Sequence, residues 1–164
     1  MNLHLNKKAF YVFFLLVLLT AIAFRIYKAD YTGIIHDEAF TYLHFGGSIT
    51  KALSPMPRTY ENFHVLSSIL EYYTGKYFRG YEHFIRIPHL AGGIILSLSL
   101  AYIICKTIRQ NVLRVTLLAA VLFHYYLFDL SFLARGYALA LGAIYAWISF
   151  TIWLLKKKIK YRYR

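Results

Sequence analysis

The sequence predicts an all-α polytopic membrane protein with four transmembrane helices and two interfacial amphipathic helices in the first outer loop. The first observation is composition: 59% of the 164 residues are hydrophobic and only 16% are charged, whereas soluble domains carry about 25% charged residues. The second is a set of four long apolar runs, and the third is a one-sided distribution of charge. The single cysteine, Cys105, excludes an internal disulfide framework and a cysteine-based metal cluster.

The four apolar runs predict spans at about 9–27, 87–105, 113–134 and 136–155. The first run reaches full spanning length if Arg25 extends its charged end to the membrane surface. Pro88 opens the second run in the first helical turn, where a missing N–H costs nothing. A cleavable signal peptide is the alternative for the first run, because Ala21-Ile22-Ala23 fits a small-residue cleavage site, although the run exceeds the usual apolar core of a signal.

Basic residues at or just beyond the ends of the runs predict the orientation of the chain. Eleven of them flank the runs with no acidic residue among them: Lys7, Lys8, Lys106, Arg109, Arg114, Lys156, Lys157, Lys158, Lys160, Arg162 and Arg164. If the four runs cross the membrane in turn, all seven acidic residues fall on the side opposite to these basic residues. The positive-inside rule then predicts cytoplasmic termini, an outer loop at 28–86, and a multi-pass protein of the plasma membrane (the inner membrane of a Gram-negative cell). The net charge of +12 accordingly indicates membrane lipids as partners and not nucleic acid.

Two segments of the outer loop have the periodicity of amphipathic helices. The first begins at Asp37-Glu38, whose carboxylates suit a helix N-terminus, and ends at Gly46-Gly47. The second runs from Asn62 to about Phe78. Its apolar stripe is Phe63, Leu66, Leu70, Tyr73 and Tyr77, and its more polar face is His64, Ser68, Glu71 and Gly75. Helices of this kind lie along a membrane surface.

Six residues whose side chains suit catalysis or binding fall at the predicted outer face: Asp37, Glu38, His64, Arg86, Asp129 and Arg135. A carboxylate beside an apolar surface can act as a base, and arginine binds phosphate through a planar fork of donors. Most of them have a simpler alternative: helix capping for Asp37-Glu38, lipid headgroup contact for the arginines, and an interfacial position for the histidine. Acids with arginines at an interface suit a reaction on a phosphate-linked, lipid-borne substrate. Ion or proton transport through Asp129 and His124 is a weaker alternative, because no span repeats such residues.

Four short motifs follow one another on the predicted outer side. They are Asp37-Glu38 followed by aromatics, Asn62-Phe63-His64-Val65-Leu66, Arg86-Ile87-Pro88 with Gly92, and Ala134-Arg135-Gly136-Tyr137-Ala138-Leu139. In this order they resemble the N-terminal part of GT-C class membrane glycosyltransferases of the protein-mannosyltransferase and aminoarabinose-transferase-like group. The resemblance covers nearly the whole chain. Members of that group have more spans, so we expect residues 1–164 to be one membrane domain forming the N-terminal part of a longer transferase.

The resemblance implies a sugar on polyprenyl phosphate as donor and a hydroxyl of an extracytoplasmic glycan, lipid or protein as acceptor. Asp37 would be the general base, Arg86 and Arg135 would bind the donor phosphate, and Glu38 would be a second catalytic carboxylate. Supporting residues would be His64, Asp129 and Tyr137. The resemblance leaves open whether a divalent metal ion takes part; Glu38 and His64 would be its candidate ligands. The alternative function is a non-catalytic four-helix membrane protein whose basic tail binds anionic lipid or a membrane partner.

Overall fold

The computed structural model describes residues 6–53, 64–78 and 83–162, and every regular element within these ranges is helical. In chain order the elements are α1 (Lys7–Tyr31), α2 (His36–Thr41), a π-helical turn (Tyr42–Gly46), α3 (Ile49–Leu53), α4 (Val65–Tyr77), a 3-10 turn (Phe84–Arg86), α5 (Ile87–Thr107), α6 (Asn111–Leu122), α7 (Tyr125–Leu130) and α8 (Tyr137–Arg162). The predicted all-α class is confirmed for this part of the chain. The first residues of the second predicted loop helix, Asn62-Phe63, lie outside the described ranges.

Within the part of the chain that the structure describes, three helices are long and apolar enough to cross a membrane. They are Lys7–Tyr31, Phe84–Thr107 and Tyr137–Lys158, with mean hydropathies of 2.4, 1.8 and 1.9. A helix needs about 20 apolar residues to cross the hydrocarbon core, and the shortest of the three has 22. They correspond to the first, second and fourth apolar runs of the sequence.

The third apolar run does not form one continuous helix. The 12-residue α6 ends at Leu122, His124 is extended, and the six-residue α7 follows. Arg25 of α1 gives a physical reason, because its Nη2 donates to the freed Leu122 carbonyl at 2.9 Å and its Nε donates to Ser131 Oγ at 2.5 Å. Arg25 is 1% exposed, so the expectation that it extends to the membrane surface was wrong. Buried in the bundle, it stabilises the interruption of the helix.

Small residues allow α5 and α8 to pack with their backbones in close approach. A Cβ at Gly92 would lie 2.7 Å from the Ala138 carbonyl oxygen, and one at Gly142 would lie 2.5 Å from the Gly92 oxygen. Such small-residue contacts are typical of helix pairs in membranes. Beside this pair, α1, α5 and α6 share an apolar core around Leu18, Ala101 and Leu118.

Helix α4 turns its polar face toward the rest of the protein. Ser67, Ser68 and Glu71 are at most 1% exposed, whereas Leu66 is 62% exposed and Tyr77 is 74% exposed. The polar side chains are therefore the buried ones, and the apolar side chains Leu66 and Tyr77 are exposed. The polar side chains find partners inside the fold, and these partners shape the candidate site.

Candidate functional site

Glu38 is the carboxylate on which three separated parts of the chain converge. It lies at the third position of α2 and its Oε2 accepts the Ile35 N–H at 3.1 Å, as in half of a capping box. Its Oε1 accepts the Ala134 N–H at 2.7 Å, from the segment that precedes α8. Arg86 adds two further hydrogen bonds, at 2.8 Å from Nε to Oε1 and at 2.5 Å from Nη2 to Oε2. All four acceptor positions of this carboxylate are thereby filled.

Arg86 is equally saturated, and it is 1% exposed. Besides its two bonds to Glu38, its guanidinium donates to the carbonyls of Ala29, Thr32 and Gly33 at 2.8, 2.5 and 2.9 Å. These carbonyls lie at the end of α1 and just beyond it. The five N–H donors of the fork therefore join α1, α2 and the start of α5. None of the five is left for a phosphate group, so the structure offers Arg86 as a positioning residue.

The charge state of Glu38 follows from the same contacts. Burial alone would raise the pKa of Glu38, but the hydrogen bonds from the Arg86 side chain and from the Ala134 and Ile35 amides lower this pKa below its ordinary value. Glu38 is 0% exposed and is held as a carboxylate. A buried anion that already accepts four hydrogen bonds is poorly placed to take a proton from a substrate.

Asp37 and Arg135 form a second ion pair at the surface, directly beside the buried one. Arg135 Nη2 lies 2.9 Å from Asp37 Oδ2, and the side chains are 37% and 41% exposed. The two pairs are linked through the backbone, because Glu38 holds the amide of Ala134, the residue before Arg135. The Arg135 Nε is buried and has no acceptor among the described residues. Arg135 therefore keeps a free donor that Arg86 lacks.

His64 lies beside the Arg135–Gly136 turn. Gly136 has φ of +76°, a left-handed conformation, and a Cβ there would lie 2.5 Å from Cγ of His64. The His64 ring stands 5.3 Å from the Tyr137 ring, edge to face. Desolvation lowers the pKa of His64, nearby His89 lowers it further, and Glu71 only partly offsets these effects. The neutral imidazole has its Nε2 buried without a partner in the described part of the chain.

A cavity of about 350 Å³ opens between the beginnings of α4 and α8. It is lined by His64, Val65, Leu66, Ser67, Gly136, Leu139, Ala140 and Ala143. Most of these side chains are apolar, and His64 and Ser67 supply the polar ones. The cavity is therefore an apolar recess whose polar corner lies at the turn that carries Arg135.

A buried polar network behind the turn was not predicted from the sequence. His89, at the start of α5, has its Nε2 3.0 Å from Glu71 Oε1 and 3.0 Å from Ser67 Oγ. Its Nδ1 accepts the Gly136 N–H at 3.3 Å. The only signal in the sequence was the placement of Glu71 on the polar face of its helix, and polarity alone does not say whether that face meets water or protein.

The remaining predicted residues stand apart from these pairs. Asp129 lies half-buried in α7, and no ion pair joins it to Asp37 or Arg135. Within the described ranges, no three His, Cys, Asp or Glu side chains are grouped so that they could hold a metal ion. The carboxylate of Glu38, which already accepts four hydrogen bonds, does not fit the role of a metal ligand.

Comparison of the chain with protein families, with curated proteins and with solved structures finds no match.

Proposed function

We propose that this chain is a membrane glycosyltransferase, or the N-terminal part of one, which transfers a sugar from a polyprenyl-phosphate donor to an extracytoplasmic hydroxyl. The observation that carries the proposal is the Asp37–Arg135 ion pair at 2.9 Å. It unites a carboxylate and a guanidinium from the first and last of the four motifs. The motif resemblance to GT-C transferases supplies the reaction class, and the ion pair supplies a base and a phosphate-binding group in one place.

Asp37 would accept the proton of the acceptor hydroxyl. The acceptor oxygen then forms a bond to the anomeric carbon while the bond from that carbon to the phosphate oxygen breaks, and the polyprenyl phosphate leaves with the bonding electrons. A carboxylate can act in this way only when it is within hydrogen-bond reach of the hydroxyl. Asp37 is 41% exposed, so an acceptor can approach it, whereas Glu38 is inaccessible.

Arg135 would bind the donor phosphate, on which negative charge develops as the bond breaks. The Arg135 Nε–H has no acceptor among the described residues, and the Arg135 side chain is partly exposed. In the free protein this arginine is engaged with Asp37, so substrate binding must separate the two. Exposed ion pairs are worth about 0–1 kcal/mol, so the donor phosphate, whose two free oxygens can accept from Arg135 in a bidentate contact, would displace Asp37 at small cost. The exchange would release Asp37 for its role as base.

The donor's lipid chain would lie in the recess between α4 and α8. Leu139, Ala140 and Ala143 form its apolar wall on a helix long enough to cross the membrane. His64 would meet the head of the donor at the polar corner, with its unpartnered Nε2. Glu38 and Arg86 would act only by positioning, and Tyr137 by holding the His64 ring. Asp129 has no role in this scheme.

The membrane arrangement that the function requires has four crossings, with α6 and α7 together as the interrupted third one, and both termini cytoplasmic. Support comes from the ends of the helices. Lys156 Nζ donates to the Lys106 carbonyl at 2.7 Å, so the basic residues that follow α5 and end α8 share one end of the bundle. Asp37 and Arg135 belong to the other end. Such a separation of charge is what the positive-inside rule describes for a plasma-membrane protein.

The same basic end supports the second candidate function, a non-catalytic protein that binds anionic lipid. Lys156, Lys157 and Lys158 are exposed there, and a basic residue near a charged membrane surface contributes about 1 kcal/mol. This function needs neither Asp37 nor the recess. The two candidates therefore differ in which end of the molecule matters.

The test measures sugar transfer from a polyprenyl-phosphate donor. It uses membranes from cells that express the chain together with its neighbouring coding sequence. Asp37→Asn should lower transfer by about a hundredfold or more, as loss of a general base does. Asp30→Asn is the matched control, since it removes a 65%-exposed carboxylate near the end of α1 and should leave transfer unchanged. Full transfer by Asp37→Asn contradicts the proposal. Loss of function only when Lys156, Lys157 and Lys158 become glutamine favours the lipid-binding candidate.

A further inference from the structure

The polar network around His89 is buried behind the Arg135–Gly136 turn, and of its three side chains only Ser67 lines the recess. Ser67, Glu71 and His89 are between 0% and 1% exposed. Ser67 Oγ donates to Glu71 Oε1 at 2.7 Å, and His89 Nε2 lies 3.0 Å from that same oxygen. Burying polar groups is costly unless they are hydrogen-bonded, and each of these three side chains has a hydrogen-bond partner within the network.

The contacts fix the tautomer of His89. Its Nδ1 faces the Gly136 N–H at 3.3 Å and must accept, because a backbone amide can only donate. The ring proton is therefore on Nε2, where it is donated to Glu71. With its lone pair occupied by Gly136, His89 cannot take a proton from Ser67. The Ser67, His89 and Glu71 side chains consequently do not form a nucleophile and base pair, despite their residue types.

The two ring nitrogens of His89 connect different parts of the fold. Nε2 is oriented by Glu71 on α4, and Nδ1 holds the amide that follows Arg135. The close α5–α8 approach at Gly92 brings His89 within reach of that amide. The Arg135–Gly136 turn is thus held from both sides, since Glu38 binds the Ala134 N–H at 2.7 Å and His89 binds the Gly136 N–H.

We infer that His89 is a positioning residue, which fixes the Arg135–Gly136 turn through its Nδ1 and so keeps Arg135 opposite Asp37. Glu71 supports it by holding the tautomer in which Nδ1 is the acceptor. The positioning is a property of the free protein. Only its consequence for sugar transfer rests on the proposed function.

The test compares two substitutions that each keep one half of the imidazole. His89→Asn places an amide oxygen near the position of Nδ1, and His89→Gln places its amide near the position of Nε2. Residue-resolved amide hydrogen exchange in detergent micelles is measured at Gly136, with the Ala134 amide as internal control. We expect Gly136 exchange to stay near the original rate in His89→Asn and to rise by about tenfold in His89→Gln, while Ala134 is unchanged in both.

A second readout follows the geometry of the surface pair. In a Cys105→Ala background, Asp37→Cys and Arg135→Cys are joined with a short bifunctional thiol reagent. The cross-linking rate should be retained when His89→Asn is added and should fall several-fold when His89→Gln is added. A merely structural role would instead affect both variants alike.

Three outcomes would overturn the inference. They are equal protection of Gly136 in both variants, loss of protection in both, and simultaneous loss at Gly136 and Ala134. None of these measurements depends on sugar transfer. If the transfer assay fails while the exchange pattern is as expected, the proposed function is wrong and the positioning role stands.

Discussion

Glu38 and Arg86 form a buried ion pair that uses both carboxylate oxygens, with N–O distances of 2.8 and 2.5 Å. The neighbouring carboxylate, Asp37, is at the surface and pairs with Arg135. Adjacent positions on a helix point about 100° apart, so one member of the Asp-Glu motif faces inward and the other outward. The inner pair holds the three chain segments together, and the outer pair is partly exposed to solvent.

The first prediction separates the two carboxylates by stability. Glu38→Gln leaves the buried Arg86 without its counter-charge, which costs about 3–5 kcal/mol. Asp37→Asn removes one partner of an exposed pair and should cost about 0–1 kcal/mol. Thermal unfolding in detergent, followed by the fluorescence of Trp147 and Trp153, measures both variants. Equal melting temperatures would contradict the assignment of the inner position to Glu38.

The sequence predicted the long helices because their apolar runs are uninterrupted, and it predicted that Asp37 and Arg135 belong to one side of the membrane. It did not predict the break after Leu122, because the break is stabilised by Arg25, 97 residues away in the chain. Nor did it show that Arg86 would be internally saturated. Its carbonyl partners follow from how α1 ends beside α5, which is tertiary information.

The second prediction concerns acid pH. Burial raises the pKa of Glu38 in the folded protein, but the hydrogen bonds from Arg86, Ala134 and Ile35 and the charge of Arg86 together lower this pKa below its ordinary value. The unfolded chain therefore binds a proton before the folded one does, and the stability that Glu38 contributes is lost as the pH falls below about 5. The difference in melting temperature between the original protein and Glu38→Gln should stay constant from pH 7 to about pH 5 and shrink as the pH falls further. A difference that grows on acidification would contradict the sign of the shift.

The third prediction concerns the left-handed turn at Gly136. Alanine in this conformation costs about 1–2 kcal/mol, and its Cβ would in addition lie 2.5 Å from Cγ of His64. Gly136→Ala should therefore cost more than the backbone term alone. In a His64→Ala background the same substitution should cost less, because the ring is gone, although the His64 Cβ still lies 2.8 Å from the new Cβ. A double-mutant cycle of melting temperatures gives the coupling, and purely additive effects would show that the ring and the turn are not in contact.

The fourth prediction is that His64 remains neutral at physiological pH. Desolvation and the neighbouring His89 lower the pKa of His64 below its ordinary value of 6.5. The ring signals of histidine-labelled protein in detergent, assigned by the signal that disappears in His64→Gln, should titrate with a midpoint below that value. A midpoint above 6.5 would mean that Glu71 outweighs burial, and the recess would then present a cation to its ligand.

The fifth prediction tests the sidedness on which the proposed reaction depends. In a Cys105→Ala background, cysteines replace Asp37, Arg135 and Lys157 one at a time, and intact cells are treated with a membrane-impermeant maleimide. Because Asp37 and Arg135 are 2.9 Å apart and both partly exposed, the first two cysteines should be labelled from outside. Lys157 follows the apolar part of α8, so its cysteine should react only after the membrane is opened. The opposite topology would be shown by labelling of position 157 from outside with protection of positions 37 and 135. A polyprenyl-linked sugar on the outer surface could not then reach Asp37.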